Sequence, residues 1–144
     1  MHLIAQSLPV ARNYQNAFDK NTRSASGKPG NNYWQNTAAY AINVSFIPST
    51  RMMTGTENIT YINNSPDTLN QVWFKLYPNI YKKGVHRDQD IDASDLSDGV
   101  SITGFAIDGT NQSTETLNIS GTNMYLPIPS LLPGQQMKFD LGFS

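Results

Sequence analysis

The residues of this chain best suited to metal chemistry lie in an acidic loop, residues 86–98. The run Asp88–Asp92 has the D-x-D-x-D spacing with which calcium loops bring carboxylate oxygens onto one ion. The rest of that pattern fails, because Ala93 stands where a glycine should make the turn and Gly99 where a bidentate glutamate should close the site. The sequence therefore favours a solvated loop over a calcium site.

The sequence contains no recognisable motif for zinc, thiol, serine or paired-carboxylate catalysis. Catalytic zinc needs three protein ligands, usually with two histidines close together, whereas the two histidines are His2 and His86 and no His-Glu-x-x-His motif occurs. Without cysteine or a Gly-x-Ser-x-Gly motif, the chain offers neither a thiol nucleophile nor a nucleophile elbow. Glu57 and Glu115 have no identifiable partner for paired-carboxylate chemistry. We therefore predict no catalytic, cofactor-binding or metal-binding residue in this chain.

Aromatic residues provide the remaining candidate for binding. Trp34, Trp73, Tyr77 and Tyr81 are of the types that form stacking platforms for sugars. Trp73 and Tyr77 are predicted on one strand face, opposite an apolar face that begins at Val72. Packing against another domain is the favoured interpretation over a glycan platform, because both faces of a sandwich sheet are open to such contacts.

Composition and charge limit the classes of partner. The 144 residues fit one domain, and the net charge of −1 argues against nucleic acid or an anionic membrane surface. No apolar run approaches the ~20 residues that a membrane-spanning helix needs, so no span is predicted. The N-terminal sequence Leu3-Ile4-Ala5-Gln6 is similar to the end of a signal peptide, which predicts a periplasmic or extracellular location.

The elements that must position these residues change character along the chain. Residues 7–20 predict a short helix with Ser7 as N-cap, and a Gly- and Asn-rich loop follows up to residue 36. Residues 1–36 are therefore predicted to be an N-terminal arm, and 37–144 a non-catalytic β-domain. The predicted strand runs are 37–46, 52–62, 72–77, 100–107, 116–119, 124–128 and 137–143. The predicted fold is all-β, a saddle-shaped sheet or β-sandwich of about seven or more strands with a short N-terminal helix and extended arm.

The segment Tyr61–Asn79 is the most informative part of the pattern. Turn formers at 63–67 separate two strand-like runs, which predicts a strand, a turn and a strand in one hairpin. Its phrases "NNSPDTL" and "LYPN" belong to an ordered series that begins at Gly27 and ends at Gly134. This series resembles the first domain of bacterial zinc metallopeptidases of the aminopeptidase N (gluzincin) family.

The resemblance implies a non-catalytic N-terminal domain of a zinc aminopeptidase-like metallopeptidase. In that family the zinc and its His-Glu-x-x-His motif belong to a second, thermolysin-like domain, so zinc is expected there and no cofactor in this chain. The implied partners are the catalytic domain of the parent peptidase and, through it, the peptide substrate. No position here matches the Gln or Glu with which relatives bind the substrate's amine.

Two other functions stay open at this point. The chain is alternatively a stand-alone β-sandwich binding module for glycan or protein adhesion that uses Trp73, Tyr77 or Trp34. It is otherwise a truncated homologue kept for structural contacts alone.

Overall fold

The computed structural model describes residues 9–144, and it confirms the all-β prediction. The described part contains one α-helix and eight strands in two antiparallel sheets. The elements are α1 (Arg12–Asp19), β1 (Thr37–Ile47), β2 (Met52–Ile62), β3 (Leu69–Lys75), β4 (Ile102–Ile107), β5 (Thr110–Asn111), β6 (Asn118–Ser120), β7 (Asn123–Leu131) and β8 (Gln136–Phe143). Between Gln35 and Asn36 the chain divides into two compact units.

The N-terminal unit carries the short helix. Of the predicted range 7–20 the structure shows α1, and the predicted cap Ser7 lies outside the described residues. Ala11 occupies the N-cap position without a side-chain hydrogen bond, and Asn21 with φ 53° follows the C-terminal end. No residue of α1 is buried.

The larger sheet of the second unit has the strand order β1-β2-β8-β4-β5. β1 and β2 form a regular hairpin with eleven residue pairs, and Arg51 adopts φ 56° in its loop. β4 and β5 form a second hairpin, whose predicted Asp108-Gly109 turn is confirmed, with both residues at positive φ. Such two-residue turns suit Asp-Gly because both positions require positive φ.

The smaller sheet, β3-β7-β6, closes the sandwich. Phe74 of β3 meets Phe139 of β8 edge-to-face with ring centroids 5.3 Å apart, and Phe105 of β4 completes the aromatic cluster. Met124 and Leu131 of β7 are almost completely buried in the same core. Alternation of apolar residues along β7 and β8 therefore does mark the core-facing side of both sheets.

The hairpin predicted across Tyr61–Asn79 is wrong. β2 pairs with β1 and β8 in the larger sheet, whereas β3 pairs with β7 in the smaller one. The turn at 63–67 therefore carries the chain from one sheet to the other. A turn within a hairpin and a turn that joins two sheets both give a local pattern of strand, turn and strand. The sequence pattern therefore does not distinguish the two.

Two predicted strand ends also need correction. β3 stops at Lys75, and Tyr77 begins a 3₁₀ helix, Tyr77–Tyr81, because Pro78 fixes φ and has no N–H to donate to a strand partner. The run predicted at 116–119 is a 3₁₀ turn, Thr114–Thr116, followed by β6. In the described residues no helix is long and apolar enough to cross a membrane.

Candidate functional site

The acidic loop places its carboxylates apart rather than around one point. Asp88 and Asp90 are exposed, and Asp92 caps a 3₁₀ turn by accepting a hydrogen bond from the Ser94 N–H at 2.8 Å. The hydrogen bonds from Ser94 lower the pKa of the Asp92 carboxyl. Across residues 9–144 no three His, Asp or Glu side chains are grouped to hold a metal ion. The structure thus gives Asp92 a structural role in its loop.

The same loop carries the second histidine. His86 is exposed and lines a surface depression of about 960 Å³ together with Arg87 and Thr122. Arg87 donates from Nη2 to the Lys82 carbonyl at 2.7 Å, which ties the loop to the chain before it. His2 lies outside the described residues.

The aromatic candidates do not form one platform. Trp73 lies on the outer face of β3, 57 % exposed, and its ring is 5.0 Å from that of Tyr125, its cross-strand partner. Tyr77 and Tyr81 begin and end the 3₁₀ helix, so the predicted shared strand face of Trp73 and Tyr77 is wrong. Trp34 belongs to the N-terminal unit. Sequence reasoning missed Tyr125, because only the register of β3 against β7 shows that it faces Trp73.

The turn formers of the segment Tyr61–Asn79 are structural groups of the sandwich. Asn63 is fully buried, and its side-chain Nδ2 donates to the carbonyls of Asp67 at 2.8 Å and Leu131 at 2.9 Å. Its Oδ1 accepts from the Ser65 N–H at 3.0 Å and from the Ser65 hydroxyl at 2.6 Å. The Asn63 side chain therefore ties the turn that joins the two sheets to the C-terminal end of β7.

Asn79 has a similar role at the other end of the segment. It is also fully buried; its Nδ2 donates to the Gly121 carbonyl at 3.0 Å, and its Oδ1 accepts from the Val100 N–H at 2.7 Å. These bonds hold the 3₁₀ helix against the β6–β7 turn and the approach to β4. The side chains of Asn63 and Asn79 thus satisfy backbone groups in the interior of the sandwich.

A further candidate surface is the far part of the β1–β2 hairpin. Its core-facing side continues outward from buried Ile59 but is not covered by the smaller sheet. The apolar residues left on this side, here named the hairpin apolar face, are Tyr40, Ile42, Val44, Phe46 and Met53, and each is at least half exposed. Exposed apolar groups this close together typically mark a contact with another molecule or domain.

Glu57 is the charged residue within this face. It lies between Ile42 of β1 and Leu141 of β8 in the strand register, so apolar neighbours flank it on both sides. Partial burial raises the pKa of the Glu57 carboxyl above its usual value. A partner surface placed here would remove more water from the carboxylate, and it must therefore supply a cation or a hydrogen-bond donor.

Replacing Glu57 by glutamine is expected to stabilise the domain slightly at neutral pH. The folded-state pKa is above the unfolded one, so protonated Glu57 favours the fold; this contribution is complete below the unfolded pKa and lost as pH rises through the folded pKa. Glu57→Gln should gain about 0.5 kcal/mol or less at neutral pH and nothing below about pH 4. Urea unfolding at both pH values measures this difference, with exposed Glu115→Gln as the control. An equal gain at both pH values would show that charge is not its cause.

Comparison with known proteins finds no match to this chain among protein-family models, curated proteins or solved structures.

Proposed function

We propose that this chain is the non-catalytic N-terminal domain of a secreted or periplasmic zinc aminopeptidase-like metallopeptidase. In this role it packs on the catalytic domain, which supplies the zinc, and helps shape the substrate cleft. The support is the resemblance of the segment series from Gly27 to Gly134, together with the uncovered hairpin apolar face. Alone, the chain is inactive.

The hairpin apolar face is the single structural observation that supports the domain contact in this proposal. Val44 and Phe46 are 52 % and 55 % exposed although they continue the core-facing side of a regular sheet. The gain from covering apolar surface is about 25 cal/mol for each Å². A second domain that covered this face would be stabilised by burying these apolar side chains. It would also have to supply a cation or a hydrogen-bond donor to Glu57.

The test starts from the gene. The reading frame beyond the codon for Ser144 is expected to encode His-Glu-x-x-His, and its absence would refute an active peptidase parent. The downstream domain, expressed separately, should bind this chain in calorimetry. The double variant Val44→Asp/Phe46→Asp should weaken that binding about tenfold or more. Its matched control, Thr54→Asp/Thr56→Asp, places the same charges on the opposite, polar face of the hairpin and should leave the affinity unchanged.

The binding-module alternative is favoured by one observation, the exposed Trp73 paired with Tyr125. Tryptophan fluorescence titration with a panel of oligosaccharides tests it. Saturable binding that disappears in Trp73→Ala would favour the module, whereas no response together with binding to the downstream domain would favour the peptidase assignment.

A further inference from the structure

β1 is an edge strand of unusual composition. It is the outermost strand of the larger sheet, all eleven of its residues are exposed, and it contains no charged residue, proline or glycine. Natural edge strands are normally protected by short length, by lysine or proline, or by a bulge. β1 has none of these protections, and its ladder with β2 is continuous over the whole strand.

The other outermost strands in the described part of the chain are short or interrupted. β5 has two residues and β6 has three, so neither offers a useful ladder. β3 carries Lys75 at its end and a register shift between Leu69 and Gln71. Of these outermost strands, only β1 is long, regular and uncharged, so β1 is the one best suited to pair with an added strand.

We propose that β1 is a self-association site, at which β1 of a second copy of this chain pairs antiparallel to form one continuous sheet across both copies. A two-fold axis at Ile42, the middle of the strand, makes the pairing self-complementary. Tyr40 then lies opposite Val44 of the second copy, and Phe46 opposite Ala38, so both hairpin apolar faces join on one side of the sheet.

The chemistry of β1 fits this occupant. An added strand that places apolar side chains at alternate positions extends the hairpin apolar face, and β1 itself has this pattern and brings no charge to the interface. Full overlap forms about ten backbone hydrogen bonds, close to the number in a standard protein interface. Pairing along one strand buries little surface, so the dimer is weak. Its population therefore depends on protein concentration. The pairing uses the backbone edge and does not depend on the peptidase assignment.

Asn43 and Thr56 provide a matched pair of test positions. They are direct cross-strand partners on the polar side of the hairpin, and both are exposed. Asn43 lies on the edge strand, whereas Thr56 lies one strand further in. Asn43→Lys brings two like charges close together across the two-fold axis, and Thr56→Lys adds the same charge away from it.

Sedimentation velocity over a ~100-fold concentration range should show the wild type passing from monomer to dimer. Asn43→Lys should move the midpoint to about tenfold higher concentration or more, while Thr56→Lys and the neutral Asn43→Gln leave it within about twofold. Hydrogen exchange should show new protection of β1 amides in the dimer. Circular dichroism melting confirms that each variant is folded. A monomer at every concentration, equal shifts for both lysine variants, or assemblies larger than a dimer would overturn the proposal.

Discussion

Phe139→Ala is expected to lower the free energy of unfolding by about 3–5 kcal/mol, a large part of the ~5–15 kcal/mol typical of a domain. Phe139 is 1 % exposed on β8, and its ring is 5.3 Å from Phe74 of the smaller sheet and 6.3 Å from Phe105 of β4. Truncation removes the apolar transfer energy and leaves a cavity between the sheets. The midpoint of thermal unfolding should fall by about 10–20 °C.

Trp73→Ala is the control for this prediction. Trp73 lies next to Phe74 in the chain but on the outer face of β3, where it is 57 % exposed. Although this change removes a larger side chain, it should cost only about 1 kcal/mol, most of it from the contact with Tyr125. If both variants lost the same stability, packing of the aromatic cluster between the two sheets would not be a main source of the domain's stability.

The strands of the sandwich were predictable because their pattern is local. The alternation of Tyr40, Ile42, Val44 and Phe46 predicts a strand, and β1 is one. Alternation does not tell whether the apolar side is covered, because cover comes from elements distant in sequence. The exposure of the hairpin apolar face and the unprotected edge of β1 therefore appear only in the structure.

The candidate site was less predictable than the fold for the same reason. Asn63 is a turn former by type, but its buried partner is the Leu131 carbonyl, 68 residues away. Tyr125 joins Trp73 only through the register of β3 against β7. Pro78, in contrast, is a local signal for the end of β3, and the alternation up to Tyr77 concealed it.

Asn63→Asp is expected to cost about 3 kcal/mol or more at neutral pH. The Nδ2 group of Asn63 donates to the carbonyls of Asp67 and Leu131, so the substitution places a carboxylate oxygen against two carbonyl oxygens. The residue is fully buried, and water cannot solvate the new charge. Burial will raise the pKa of the introduced carboxyl in the folded state. The penalty should therefore be smallest below about pH 4, where the unfolded carboxyl is protonated, and grow as pH rises through the folded pKa.

Urea unfolding of wild type and variant at about pH 4 and about pH 8 measures this change, and Asn70→Asp is its control. Asn70 is exposed, and its Oδ1 accepts from the Ser130 hydroxyl at 2.9 Å, so an aspartate keeps that bond. The control should alter stability by about 0.5 kcal/mol or less at either pH. If Asn63→Asp were equally mild, the buried amide would not hold the crossing between the sheets. Strong, pH-dependent destabilisation would instead show that the scaffold itself requires Asn63, independently of any partner.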